Sequence, residues 1–219
     1  MEVYRLRLPQ GRELNNLGEN RQMTQPDKAM KPPLTPRQRA VFESLLERFL
    51  QNGFVDFTID RAARELRCSK TTLYALGGTR DDIVERILIG FFRQVAARTE
   101  AALRAERSHA ATMKAYFDAI VQALEPASPA FTRDLTRDPV GQKVYGRNTE
   151  AATDRIRAIL EAGVAAGEFR GINVDFVARV TQTTMHRIRR GDFDDILPAQ
   201  DLYRELGQLT VRGILAHPD

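Results

Sequence analysis

The sequence predicts an all-α fold of about nine helices, and three observations carry that expectation. Apolar residues recur at helical spacing in segment after segment from Thr35 onward. Thr, Ser and Pro residues stand where these stripes begin, as caps and first-turn residues do. No stretch shows the sustained period-2 alternation of a half-buried strand.

Residues 1–33 hold scattered Pro, Gly, Asn and Gln, no periodicity and the breaker pair Pro32-Pro33, which predicts a flexible extension; an arm reaching into a DNA groove is the alternative. Thr35 before Pro36 then opens a helix whose stripe is Val41, Phe42, Leu45, Leu46, Phe49 and Leu50, and Asn52-Gly53 closes it. Thr58 caps the next helix, which turns Ile59, Ala62, Ala63 and Leu66 inward. Ser69 caps a short helix over 70–76, and Thr79 or Asp81 caps a longer one carrying Ile83, Val84, Ile87, Leu88, Phe91, Phe92 and Val95. Further helices are expected over 113–124, around Phe131 and Leu135, over about 140–166, over 174–189 and over 199–215, with Gly167 and Gly171 flanking a turn.

A single cysteine excludes an internal disulfide framework, and Cys68, His109, His186 and His217 are too dispersed for a metal site. Gly77-Gly78 lacks the preceding strand and the lysine of a phosphate loop, and no nucleophilic triad is visible, so neither an enzyme nor a bound cofactor is expected. No apolar run approaches the roughly 18–20 residues that span a bilayer, and MEVYRLRLPQGREL has no apolar core of a signal peptide. A soluble cytoplasmic protein without a membrane partner is the expectation. Net charge is +2 over residues 1–33, +3 over 34–99 and −1 over 100–219, so the basic excess sits in the first half and permits a polyanionic partner there.

Helix, turn and short helix over 58–76 have the proportions of a helix-turn-helix. Ala62 and Ala63 allow a close crossing, Leu66 and Leu73 form its seam, and Lys70, Thr71, Thr72 and Tyr74 are left outward for phosphates and base edges. Cys68 between these helices is read as a small packing residue, with a redox switch as the alternative.

The stretch GFVDFTIDRAARELRCSKTTLYALGGTRDDIVERIL, residues 53–88, resembles the N-terminal domain of TetR-family transcriptional regulators. Gly53-Phe54, Thr58, Ala62-Ala63, Ser69-Lys70, Leu73-Tyr74 and Arg80-Asp81-x-Ile83 match that family's spacing, and residues 37–88 are covered. The resemblance implies a helix-turn-helix DNA-binding domain over 34–80 and a helical ligand-binding and dimerisation domain over 81–219. It implies phosphate contacts from Thr58, Ser69, Lys70, Tyr74 and Arg80, and base-facing roles for Thr71 and Thr72. Arg67 stands where the family usually has glycine, which predicts a left-handed residue costing ~1 kcal/mol or an added phosphate contact. Leu76-Gly77 replaces the usual aromatic pair, which predicts less apolar burial at that helix end.

In the helical domain the resemblance nominates Phe92, Met113, Phe117, Phe131, Tyr145, Phe176, Met185 and His186 as ligand-cavity residues. His186 with Arg187, Arg189 and Arg190 is either an anion site or a solvated basic helix end, and Asp192, Asp194 and Asp195 are either a cation site or loop acids. The functional expectation is a sequence-specific regulator, a ligand-responsive repressor acting as a homodimer through its last two helices on a palindromic operator in double-stranded DNA, with a small-molecule effector. The alternative, of another class, is an all-helical ligand-binding or protein-interaction module that has lost specific DNA reading.

Overall fold

The computed structural model describes residues 34–216; the expectations for residues 1–33 and His217 lie outside them. Among the described residues there are nine α-helices: α1 (Pro36–Asn52), α2 (Ile59–Glu65), α3 (Lys70–Tyr74), α4 (Arg80–Leu103), α5 (His109–Leu124), α6 (Pro129–Arg137), α7 (Pro139–Ala165), α8 (Val174–Arg189) and α9 (Ala199–Ile214). The one extended pairing among them is an isolated bridge between Phe169 and Leu215. The all-α expectation is met.

Local signals set the helix starts. The Thr35 hydroxyl accepts from the Gln38 N–H at 3.3 Å while the Gln38 side chain accepts from the Thr35 N–H at 2.9 Å, a reciprocal cap. Thr58, Ser69 and Thr79 cap α2, α3 and α4 through their hydroxyls, so of the two caps offered for α4 it is Thr79 that serves, in reciprocal pairing with Asp82. Gly53 ends α1 at φ 77°, a left-handed conformation that glycine adopts without penalty.

Two helix ends differ from expectation, and tertiary contacts bear on both. α5 begins at His109, four residues before the expected Met113. Ser108 caps it locally, its hydroxyl accepting from Ala111 N at 3.1 Å, and Glu168 adds a distant acceptor for His109 N at 2.7 Å and Ala110 N at 3.2 Å and bonds the His109 ring at 2.8 Å. The bond from His109 holds the Glu168 carboxyl below the usual carboxylate range. α3 closes at Tyr74, yet Leu76 beyond it is 0% exposed. Gly77 makes that burial possible, because a Cβ there would lie 2.6 Å from the backbone N of Ile83 in the first turn of α4. Closer backbone approach thus substitutes for the missing aromatic bulk.

Two apolar cores organise the bundle. The first joins α1–α3 to Ile83, Val84, Ile87, Leu88, Phe91 and Phe92 of α4, with Phe131 and Leu135 of α6 and Val144 and Tyr145 of α7. The second collects Met113 and Phe117 of α5, Ile156, Ile159 and Leu160 of α7, Met185 and Ile188 of α8 and Tyr203 of α9. α4, α5 and α7 pack on one another, and α8 and α9 close the far side against α7 and α5.

Candidate nucleic-acid interface and inner cavity

The helix-turn-helix forms as the spacing predicts. Ala62 is buried at the crossing of α2 and α3, and Leu73 and Leu76 turn inward, so the opposite face of α3 is presented outward. Ser69, Lys70, Thr71 and Ala75 are exposed, and Tyr74 is 47% exposed. Thr72 is half-buried: its hydroxyl pairs with Ser69 Oγ at 2.9 Å, and its N–H donates to the same oxygen at 3.2 Å. Arg67 adopts φ 48°, the left-handed conformation expected of it, and its exposed side chain makes no ion pair among the described residues. Thr58 is exposed with its hydroxyl committed to the Arg61 N–H at 3.3 Å. Arg64, exposed in the last turn of α2, adds a cation that the sequence pattern did not nominate.

Part of the positive charge is internally matched. Lys70 pairs with Asp60, whose carboxyl is held low by that hydrogen bond, and Glu65 receives both Arg48 and Arg61. Arg80 is turned inward as a brace. Its guanidinium donates to Asp138 at 2.9 Å, to Asp81 at 2.9 Å and to the Phe54 carbonyl at 2.8 Å. Burial works against its charge, but the bonds to Asp81 and Asp138 outweigh this and raise its pKa. Beside it the buried Asp134 of α6 accepts from the N–H groups of Phe54 at 2.6 Å and Val55 at 2.8 Å. The turn leading into α2 is therefore clamped to the α6–α7 corner.

Behind this head lies a cavity of about 450 Å³ lined by residues of α4, α5, α7, α8 and α9, among them Phe92, Tyr116, Ile120, Tyr145, Met185 and Tyr203. A neighbouring cavity of about 620 Å³ is bounded by α6 and by the α8–α9 connection and includes Phe131, Leu135 and Tyr203. Leu124, Arg189 and Tyr203 belong to both walls. Burial pushes the Tyr116 and Tyr203 hydroxyls up, so both stay neutral donors; Tyr116 donates to the Ala152 carbonyl at 3.2 Å and Tyr203 to the Met185 carbonyl at 3.3 Å.

This arrangement is similar to several solved regulators. PfmR, a TetR-family transcriptional regulator from Thermus thermophilus, aligns at TM-score 0.59 and 20% identity, over 78% of this chain and 97% of its own. A TetR transcription regulator from Haloarcula marismortui aligns at TM-score 0.68 and 17% identity, over 82% and 98% of the two chains. A candidate transcriptional regulator from Saccharomonospora viridis, in complex with choline, aligns at TM-score 0.68 and 14% identity over the same shares. The chain has the fold of TetR-family regulators. No protein-family model matches its sequence, and no curated protein does either.

Within this TetR fold the nominated cavity residues separate. Phe92, Tyr145 and Met185 line the 450 Å³ cavity, and Phe131 lines its neighbour. Met113 and Phe117 are buried in the second core and line neither. His186 is exposed and stacks on Tyr145, with ring centroids 6.4 Å apart. Phe176 lines neither cavity: it is 66% exposed on α8, because its position in the helix turns it away from α7. Sequence reasoning missed Tyr116 and Tyr203 as lining residues, and both carried the signal of an aromatic on a buried helical stripe. Among the described residues no group of three His, Cys, Asp or Glu side chains could hold a metal, and no helix is long and apolar enough to cross a membrane.

Proposed function

We propose that this protein is a TetR-family transcriptional regulator of the cytoplasm, binding double-stranded DNA as a homodimer and releasing it when a small molecule fills the inner cavity. The observation that supports this best is the outward face of α3. Ser69, Lys70, Thr71 and Tyr74 are exposed together beside Arg67, on a helix whose orientation Leu73 and Leu76 hold from within. In this reading residues 34–80 form the DNA-binding domain and 81–219 the ligand and dimer domain. Arg64, Arg67, Lys70 and Tyr74 meet phosphates, with the free N–H groups at the start of α3 beside them. Thr71 reads base edges, Thr72 keeps the Ser69 cap in place, Thr58 caps α2 next to the backbone and Arg80 orients the head. That a regulator of similar fold is found in complex with choline supports a small-molecule effector. Phe176 and Val180 on α8 and Leu209 on α9, 66%, 46% and 70% exposed, form an apolar face suited to a second copy. Two recognition helices then need a separation near one turn of DNA, roughly 34–36 Å.

The competing reading, a helical ligand-binding module without specific DNA reading, draws on the pairing of Lys70 with Asp60 and of Arg48 and Arg61 with Glu65. Selection of duplexes from a random library, followed by fluorescence anisotropy at several salt concentrations, separates the two. The regulator reading expects an enriched palindromic site. It also expects Lys70→Ala to weaken binding to all duplexes alike and to reduce the salt slope by about 1. Thr71→Ala should instead change the preferred base at one position in each half-site. Binding that is indifferent to sequence would establish the competing reading.

A further inference from the structure

Charge is distributed unevenly around the two cavities, and Arg189 stands at their common wall. The smaller cavity is lined by two carboxylates, and each already has an arginine. Glu100 receives Arg155 through two bonds at 2.7 and 3.0 Å, and Asp154 receives Arg157 at 2.6 Å. Arg189 makes no ion pair with any described carboxylate, and its Nη1 is buried without a hydrogen-bond partner. Its guanidinium carbon lies 3.3 Å from the centroid of the Tyr145 ring. The larger cavity is lined by Arg133, Arg137, Arg189 and Arg190 against a single acid, Asp194. Of the basic cluster at the end of α8, Arg187 and Arg190 turn to Asp192, at 3.0 and 3.6 Å, and Arg189 lies over the Tyr145 ring.

From this we infer that the effector is an amphipathic organic carboxylate. Its apolar body occupies the cavity lined by Phe92, Ile120, Leu124 and Met185, and its head group meets the Arg189 guanidinium at the wall the two cavities share. The inference rests on the effector half of the reading above and names its ligand class. A buried guanidinium donor without an acceptor is the group that gains most from a carboxylate oxygen. The same geometry disfavours a quaternary ammonium ligand. Tyr116, Tyr145 and Tyr203 would otherwise make an aromatic cage, but the protein's own cation already covers the Tyr145 face.

Calorimetry with a matched head-group series on the full chain tests this: octanoate, octanamide and octyltrimethylammonium share one apolar body. Octanoate should bind at least about tenfold more tightly than octanamide, the ratio one charge-assisted hydrogen bond supplies, and the ammonium more weakly still. Arg189→Met should erase the preference for octanoate while leaving octanamide binding within about threefold. The wild-type series stands as a test even if that variant folds poorly. Three head groups bound equally, no binding of any of them, or octanoate binding unchanged in Arg189→Met would each overturn the inference. Adding octanoate to the DNA complex reads the other claim separately. Octanoate bound through Arg189 without release of DNA supports the carboxylate site and removes the regulatory link, whereas specific DNA binding with no head-group preference overturns the carboxylate site and leaves the DNA-binding reading standing.

Discussion

Arg67 holds a left-handed backbone conformation at φ 48° in the turn between α2 and α3, where a side chain with a Cβ is strained. The strain is accompanied by an exposed cation next to the outward face of α3, which is what a phosphate contact requires. Arg67→Gly should therefore raise stability by ~0.5–1 kcal/mol in urea unfolding, the relief of strain exceeding the added freedom of glycine in the unfolded chain. The same variant should weaken DNA binding severalfold and lower its salt dependence. A variant that loses stability and binds DNA as before would show that the turn holds arginine for a packing reason. The left-handed residue was legible in the sequence, because glycine's usual place in that motif is a backbone property. That Arg80 braces the head internally was not legible: its partners Asp138 and the Phe54 carbonyl lie 58 and 26 residues away.

At the scale of elements, short helices are held by what they touch. α2 and α3 have seven and five residues, too few for stability in isolation, where helices under about 12–15 residues are marginal in water. Their position depends on Leu73 and Leu76 inside the first core and on the clamp that Asp134 places on residues 54 and 55. Asp134→Ala leaves the buried Phe54 N–H and the half-buried Val55 N–H without their acceptor. It should cost about 2 kcal/mol, read as a lower urea midpoint at unchanged slope. Specific DNA affinity should fall with it, since the turn entering α2 loses its fixed attachment. Full retention of both would show that the clamp is incidental. Capping chemistry made the starts of α1, α2, α3 and α4 readable, because a hydroxyl and an N–H three residues apart need no other part of the chain. Ser108 offers α5 the same local cap, accepting from the Ala111 N–H at 3.1 Å, but the apolar stripe begins only at Met113, and the bonds from Glu168 to the first turn come from 59 residues away.

In the molecule as a whole, a continuous series of rings joins the helix-turn-helix head to the cavity. Phe57 meets Phe49 at 5.1 Å, Phe49 meets Phe54 at 5.6 Å, and Phe54 meets Phe131 at 5.8 Å. Phe131 meets Phe91 at 5.4 Å, Phe91 meets Phe92 at 5.1 Å, and Phe92 meets Tyr145 at 6.3 Å. Close-packed rings transmit a displacement and do not absorb it, which suits the head to the effector role proposed for the cavity. The exposed apolar face of α8 and α9 belongs to the same scale. Phe176→Glu should weaken self-association at least tenfold, given the roughly 2 kcal/mol gained by burying a phenylalanine, and light scattering should then report a monomer. DNA affinity should fall in step, since two half-sites are no longer read together. An unchanged mass would place the dimer contact elsewhere.

The sequence by itself determined the all-α class, the caps of α1 to α3, the crossing of α2 and α3 and the outward face of α3, because helical periodicity and capping act within four residues. It also showed a basic cluster at the end of α8 without showing which member turns inward. Arg187, Arg189 and Arg190 sit within one turn of each other, and successive residues on a helix point about 100° apart. Only the packing of α8 against α7 and α9 decided that Arg187 and Arg190 reach Asp192 while Arg189 lies over Tyr145 at the cavity wall. Phe176 was decided in the same way, its place on α8 making it surface and not cavity. Periodicity says that a helix has an inside, and the neighbouring helices say which residues that inside receives.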